Sequence, residues 1–176
     1  MVGGKSVDSL KAERILLANG IREWHVGGPK GPLHRVDGPA VDCPDGLKEW
    51  YVNGKRHRVD GPAVEYPDGS KEWFQNGMRH RLDGPSMEHS SGSKRWHRNG
   101  KIHREDGPAN VVPDREDEWY QHGKLHREDG PAIEYADGRK EWYLNGRKVS
   151  EEVVKKARFV KRMKEVVLDT PEKNTF

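Results

Sequence analysis

Residues 48–70 read KEWYVNGKRHRVDGPAVEYPDGS, and the same pattern returns along most of the chain. The pair His-Arg occurs five times at intervals of 23 residues, and Asp-Gly-Pro follows it after one intervening residue each time. A tryptophan recurs with the same period from Trp50 to Trp142, and Trp24 precedes this series. A period of this length, sustained over five copies, predicts an array of equivalent structural units.

Each repeat predicts two short strands joined by turns. Residues 48–52 are rich in aromatic and β-branched types, which favour a strand. Asn53-Gly54 is a hairpin signal, and Asp60-Gly61-Pro62 and Pro67-Asp68-Gly69 are turn signals. We therefore predict a mainly β fold, an elongated single-layer antiparallel meander with strands of about four to six residues. Neighbouring repeats are expected to be held together mainly by stacked indoles.

The composition is unusual for a compact globule and excludes several classes of protein. The mean hydropathy is −1.07 and the net charge is only +3, yet the chain has six Trp and five Tyr. The longest aliphatic run, residues 15–18, is far too short to span a membrane. The first residues lack an apolar stretch before a cleavage site, so no secretory signal is expected. Cys43 is the single cysteine, so no intramolecular disulfide can form, and a cytoplasmic location is predicted.

The repeat resembles the MORN repeat, whose units carry Trp, Asn-Gly-Lys, His-Gly and Tyr-x-Asp-Gly in similar places. The resemblance covers about three quarters of the chain, but Arg stands where that family has Gly after His, and Asp-Gly-Pro-Ala replaces its Gly-x-Gly. Arrays with His-Arg-x-Asp-Gly-Pro-Ala are similar to a variant in uncharacterised bacteriophage proteins. The resemblance implies a scaffold, a partner-binding array or a membrane-associated module without an active site. If the chain is viral, the expected location is the host cytoplasm.

The two ends differ from the repeats, and three segments follow from this. Residues 1–14 are predicted to be an N-terminal cap with a short helix, and residues 15–149 a half-repeat followed by five repeats. A helix that continues to residue 18 is the rival prediction. Residues 150–176 are expected to form a C-terminal helix and tail. The helix is predicted over about residues 151–167, because Ser150 suits an N-cap and apolar residues recur at helical spacing.

The sequence offers no convincing catalytic or metal site, so we predict a protein that is not an enzyme and needs no cofactor. The five His-x-x-Asp pairs combine two zinc-ligand types, but identical pairs along a sheet give two ligands per repeat and no closed set of four. The alternative is a structural ladder in which Arg and Asp pair and His packs against its neighbours. Cys43 occupies a strand position held by Tyr66 in the next repeat and reads as a packing residue.

The positions at which the repeats differ predict where a partner protein binds. Positions that serve the fold should be alike in every copy, whereas positions that face a partner are free to vary. The third copy replaces the usual Lys-Glu-Trp-Tyr by a basic and aromatic run, and the fourth copy adds acidic residues beside it, which suits a charged partner surface. The predicted partner-binding residues are Gln75, His89, Arg95, Trp96, His97, Arg98, Arg115 and Gln121.

The basic C-terminal helix supports an alternative, a module that binds nucleic acid or anionic phospholipid headgroups. Its candidate residues are Lys155, Lys156, Arg158, Lys161, Arg162 and Lys164. The competing structural explanation is that the helix packs its apolar face on the protein or across a homodimer and leaves its cations in water.

The function expected from these observations is that of a non-enzymatic repeat scaffold that binds a partner protein. The resemblance to phage repeats adds a narrower expectation, an inhibitor of a host defence factor or nuclease. The identity of the partner is left open by the sequence.

Overall fold

The computed structural model describes residues 11–168, with side chains to residue 164. It divides into two compact units, of which residues 11–101 and 102–168 are described. The fold is mainly β, as predicted: antiparallel strands follow one another in a meander, and a single C-terminal helix ends the described chain.

The first unit contains one sheet and small two-stranded hairpins. Its strands, with the one at the boundary of the two units, are β1 (Glu13–Leu16), β2 (Arg22–His25), β3 (Val41–Asp42), β4 (Lys48–Glu49), β5 (Tyr51–Val52), β6 (Lys55–Arg56), β7 (Val64–Glu65), β8 (Lys71–Glu72), β9 (Phe74–Gln75), β10 (Met78–Arg79), β11 (Met87–Glu88), β12 (Lys94–Arg95), β13 (His97–Arg98) and β14 (Lys101–Ile102). The sheet order in this unit is β1-β2-β3-β4-β7-β8-β11-β12. The hairpins are β5-β6, β9-β10 and β13-β14.

The second unit repeats this plan and adds the helix. It contains β15 (Asn110–Val112), β16 (Glu116–Glu118), β17 (Tyr120–Gln121), β18 (Lys124–Leu125), β19 (Ile133–Tyr135), β20 (Lys140–Leu144), β21 (Arg147–Val149) and α1 (Glu151–Leu168). The sheet order in this unit is β15-β16-β19-β20-β21, and β17-β18 is its hairpin.

Most strands are shorter than predicted because the strands at Trp50, Trp73 and Trp119 change partner at the indole residue, whereas β2 and β20 run through theirs. The Trp50 N–H donates to the Ala63 carbonyl at 2.9 Å, within the main sheet. The Trp50 carbonyl instead accepts from the His57 N–H at 3.0 Å, within the hairpin. The predicted five-residue strand is therefore split into β4 and β5, one on each side of the tryptophan.

The Asn-Gly hairpin turns are confirmed. Asn53 and Gly54 have φ angles of 51° and 74°, the pair of left-handed residues that a tight hairpin turn requires. The fourth repeat has His122 in place of the asparagine, and it takes the same conformation with φ 52°.

The buried core is small and is built from the residue after each Asp-Gly-Pro turn. Ala63 is fully buried, and Val64 and Phe74 pack with it to form a hydrophobic cluster. The equivalent positions in the other repeats are fully buried too: Ala40, Ser86, Ala109 and Ala132. Only a small side chain fits where the main sheet meets the hairpins.

The two ends follow the sequence in part. The strand β1 and the turn at residues 17–20 agree with the predicted half-repeat, so a helix through residue 18 is wrong. The expected N-terminal helix lies mostly in residues 1–10, outside the described residues. The C-terminal helix is confirmed, and Val154 is its buried contact. No helix in the described part of the chain is long and apolar enough to cross a membrane.

Candidate functional site

The loops that begin at Arg35, Arg58, Arg81 and Arg127 are organised by an arginine that lies over an indole ring. The Arg58 guanidinium carbon is 4.1 Å from the centroid of the Trp50 ring, and its Nε donates to Asp60 at 3.1 Å. A terminal nitrogen of Arg58 also donates to the Pro62 carbonyl at 3.1 Å. The same arrangement occurs for Arg35 over Trp24, Arg81 over Trp73 and Arg127 over Trp119.

This geometry corrects the prediction of stacked indoles. In residues 11–95, no indole–indole pair is found, and the rings of Trp24, Trp50 and Trp73 face guanidinium groups instead. A guanidinium over an indole face gains cation–π attraction and covers apolar surface. The Arg-Asp pairing of the structural ladder is observed. The paired arginine also places its guanidinium over the face of the tryptophan ring.

The glycine of Asp-Gly-Pro lets the arginine come this close. A Cβ on Gly61 would lie 2.9 Å from the guanidinium carbon of Arg58. A Cβ on the equivalent glycines would lie 2.8–3.0 Å from the guanidinium carbon of the arginine in the same loop; these are Gly38, Gly84, Gly107 and Gly130. The conserved spacing of Arg and Gly in each copy thus has a steric cause.

The aspartates of these loops serve as acceptors for the arginines. The hydrogen bond from Arg58 lowers the pKa of the Asp60 carboxyl, and that from Arg81 does the same for the pKa of Asp83. Both carboxylates remain exposed to solvent on their outer side. They therefore present negative charge at the surface while one oxygen is held within the loop.

The histidine of each His-Arg pair accepts a hydrogen bond from the backbone N–H of the hairpin turn 19 residues further on. The Asn76 N–H donates to Nδ1 of His57 at 3.1 Å, and four equivalent bonds of 3.0–3.2 Å follow the same 19-residue separation. Within residues 11–168, no group of three or more histidine, cysteine and acidic side chains is arranged to hold a metal ion.

Two grooves of the same construction lie between neighbouring loops, one in each unit. We call the first the Val59–Leu82 groove; its volume is about 610 Å³, and Trp73, Gln75 and His80 contribute to its lining. The second, the Glu105–Glu128 groove, has a volume of about 530 Å³, and Trp119, Gln121 and His126 contribute at the equivalent positions. The loop arginines and aspartates complete the walls of both.

The grooves differ at their rims, where the residue between Arg and Asp varies. Val59 and Leu82 are 78% and 72% exposed, large values for aliphatic side chains. Glu105 and Glu128 take these positions in the second unit. This position is not among those predicted from the sequence, although its change from three apolar residues to two acidic ones along the chain is a usable signal.

Of the predicted partner-binding residues, Gln75 and Gln121 line these grooves and His97 does not reach the surface. His97 is only 6% exposed, and its Nδ1 is 2.8 Å from the Ser86 hydroxyl. Burial, with the charges of Arg79 and Arg95, lowers the pKa of His97 to about 4. His97 replaces the aromatic residue of other repeats inside the core, so its assignment to the partner surface is wrong.

The remaining predicted residues do not form one cluster. His89 is exposed in the turn that precedes β12, whereas Arg98 is exposed at the end of β13, before the Asn99-Gly100 turn. Arg115 is exposed in the turn before β16. Arg95 and Trp96 are half-buried. The structure thus separates the predicted set into two edges and the interior.

The fourth repeat breaks a ladder of alternating charges. Lys48 lies opposite Glu65 across neighbouring strands, the favourable arrangement. Asp117 occupies the lysine position in the second unit and lies directly opposite Glu134. Burial and the nearby Glu134 charge raise the pKa of Asp117.

The candidate cations of α1 are all exposed, and three of them interact with acidic groups of their own unit. Lys161 donates to Glu128 on the groove rim at 2.6 Å and lowers the pKa of that carboxyl. Lys155 pairs with Glu151 one turn earlier, at 3.0 Å. Arg158 lines a depression beside Asp129.

Cys43 has no features of a nucleophile. Its thiol is half-buried, and burial together with nearby carboxylates raises its pKa, which disfavours the thiolate.

No known family model matches the sequence, and no curated protein is significantly similar to it. The MORN repeat therefore stays a resemblance based on the repeat itself.

Proposed function

We propose that this chain is a non-enzymatic repeat scaffold that binds a partner protein through the loop face, the surface that the His-Arg-x-Asp-Gly-Pro loops and their groove form in each unit. The observation that carries the proposal is the contrast between framework and rim. The Arg–Trp–Asp framework and the groove glutamines are the same in both grooves, whereas the exposed rim residues change from Val59 and Leu82 to Glu105 and Glu128.

The absence of a catalytic role in this proposal follows from how the polar groups are used. The loop arginines bind indoles and aspartates, and the histidines accept backbone hydrogen bonds. Groups committed to the fold in this way are poorly placed to change partners during a reaction. The narrower role, inhibition of a host defence factor or nuclease, is a proposal that rests on the resemblance to phage repeats.

The test uses substitutions that the repeat already accepts. Gln75→Arg and Gln121→Arg introduce the residue found at the equivalent position 98, so the fold should be kept while both grooves are filled by a charged side chain. We expect the double variant to lose the partner that the wild-type chain captures from host lysate, as measured by quantitative mass spectrometry.

The matched control lies on the opposite edge of the sheet. Ser91→Asp restores the aspartate that the second repeat has in this turn and should leave capture unchanged. Equal capture by the wild type and the groove variant would remove the loop face as the binding surface.

A second candidate function is favoured by α1. Its Phe159 side chain is 64% exposed beside a run of cations without intervening acid. We propose, as the alternative, binding of an anionic surface of phospholipid or nucleic acid by this helix. Binding should then weaken steeply as salt is raised and with neutralisation of the helix lysines, in vesicle sedimentation or gel shift.

A further inference from the structure

We propose that the Val59–Leu82 groove is the docking site for helix α1 of a second copy of this chain. The inference rests on the proposed function, because it names the partner of one of the two grooves. Four observations support it. The groove has an exposed apolar rim, and α1 has a partly exposed apolar strip. The two surfaces carry opposite charges, and the spacing of the rim residues matches that of the helix residues.

The groove rim presents apolar side chains in a row, each followed by a carboxylate. Val36, Val59 and Leu82 occupy the same position in three successive loops, and all are at least 72% exposed. Asp60 and Asp83 follow the last two of them and are more than 80% exposed. Aliphatic side chains this exposed at every repeat form a row that gains by being covered.

Helix α1 has an apolar strip that its own unit covers only in part, beside Glu128. Val153, Val160 and Met163 lie on one side of the helix and are 44–50% exposed. Val154, the buried helix residue, is about 100° away from Val153 around the helix axis. The helix therefore packs by one face and leaves a second face available.

Charge favours docking of the α1 strip in the groove over packing of two α1 helices against each other. The strip is flanked by Lys156 and Lys164, and no acidic residue lies between positions 153 and 164. Two such helices face to face would bring like charges together. The groove rim instead places Asp60 and Asp83 beside its apolar residues; each binds its loop arginine through one oxygen and is more than 80% exposed, so apolar contact and charge attraction act together.

The spacings also agree. Two strands per repeat, at about 4.8 Å each, place successive rim residues about 9.6 Å apart. Val153 and Val160 are seven residues apart, which is about 10.5 Å along a helix. Neighbouring apolar residues of the strip can thus meet neighbouring rim residues.

The second unit supplies a precedent for a helix beside such a rim. There Lys161 of α1 contacts Glu128 at the equivalent rim position, and both line the Glu105–Glu128 groove. This salt bridge shows that a rim position can be contacted by a helix lysine. Docking of the helix of one copy in the groove of another uses two different surfaces of the chain, and a reciprocal pair would be a symmetric dimer.

The test measures self-association of the full chain by sedimentation velocity over a wide concentration range. The wild type should pass from monomer to dimer. Val59→Lys with Leu82→Lys removes apolar contact and repels the helix, so the dissociation constant should rise at least about tenfold. Leu16→Lys, which adds the same charge at another exposed aliphatic residue, should leave it unchanged.

A charge exchange makes the test specific to the proposed pair. Lys156→Glu with Lys164→Glu, added to the two rim lysines, should restore association to within about threefold of the wild type, because attraction across the interface returns. A wild type that stays monomeric, a dimer that ignores the rim substitutions, or a failure of this rescue would each overturn the proposal. A monomer whose α1 binds anionic vesicles would overturn it as well.

The outcomes separate this inference from the proposed function. A monomeric chain that still captures a partner dependent on Gln121 would overturn the inference alone. A rim-dependent dimer that captures no partner through either groove would support the inference and overturn the broader binding role.

Discussion

The buried His97 should make the third repeat sensitive to acid, and the chain itself provides the substitution that removes this sensitivity. Ser86 and His97 occupy the positions that Ala63 and Phe74 hold in the second repeat. The double variant Ser86→Ala with His97→Phe therefore transplants a pair that this fold already packs in its core.

The magnitude follows from the lowered pKa. Burial, then the charges of Arg79 and Arg95, lowers the pKa of His97 from 6.5 to about 4. The unfolded chain binds the proton more readily than the folded one, so the contribution to stability is complete above pH 6.5 and is lost as pH falls towards 4. At 1.36 kcal/mol per pKa unit, the free energy of unfolding should fall by about 2.5 kcal/mol between pH 7.5 and pH 4.5 from this group alone.

Urea unfolding at these two pH values measures the effect as a difference between proteins. The wild type should lose about 2.5 kcal/mol more than the double variant, because all other titrating groups are shared. Ser86→Ala alone keeps the imidazole and should keep most of this acid loss. Equal loss in the wild type and the double variant would refute the burial argument.

Two further predictions concern the loops and the charge ladder. Gly61→Ala should lower the free energy of unfolding by about 1–3 kcal/mol, since the new methyl displaces the Arg58 guanidinium from Trp50; chemical denaturation measures this. Asp117→Lys should raise it by about 0.5–1 kcal/mol, because an attractive pair with Glu134 replaces a repulsive one; thermal unfolding at low salt measures this.

The Gly61 and Asp117 predictions can each be contradicted by a specific result. Val59→Ala is the control for the glycine change, since it alters an exposed side chain in the same loop; an equal loss in both would exclude the steric explanation. For the ladder, a stability gain that persists at high salt would contradict an electrostatic cause.

Much of the fold was predictable because its signals are local. Asn53-Gly54 predicts its turn from two residues alone, and the helix after Ser150 shows its apolar spacing directly. The partners of the tryptophans were not predictable in the same way. An indole and a guanidinium can each stack with several kinds of group, and the period of 23 residues aligns them all equally well.

The candidate site shows the same division. Gln75 and Gln121 were predicted from the variation at their position along the repeats; both line a groove, and their role in binding stays a prediction. His97 was assigned to the surface because it varies too, yet its variation is matched inside the core by Ser86. Variation in a repeat indicates either a partner outside or a compensating neighbour inside, and burial distinguishes the two.

The sequence by itself determined the repeat, the order of its strands and turns, and the C-terminal helix, because each depends on residues close together in the chain. The tertiary structure alone decided that arginine covers tryptophan, that glycine makes room for it, and that each histidine holds the turn 19 residues further on. These contacts join different strands, so their choice depends on distances in space that a period along the chain does not specify.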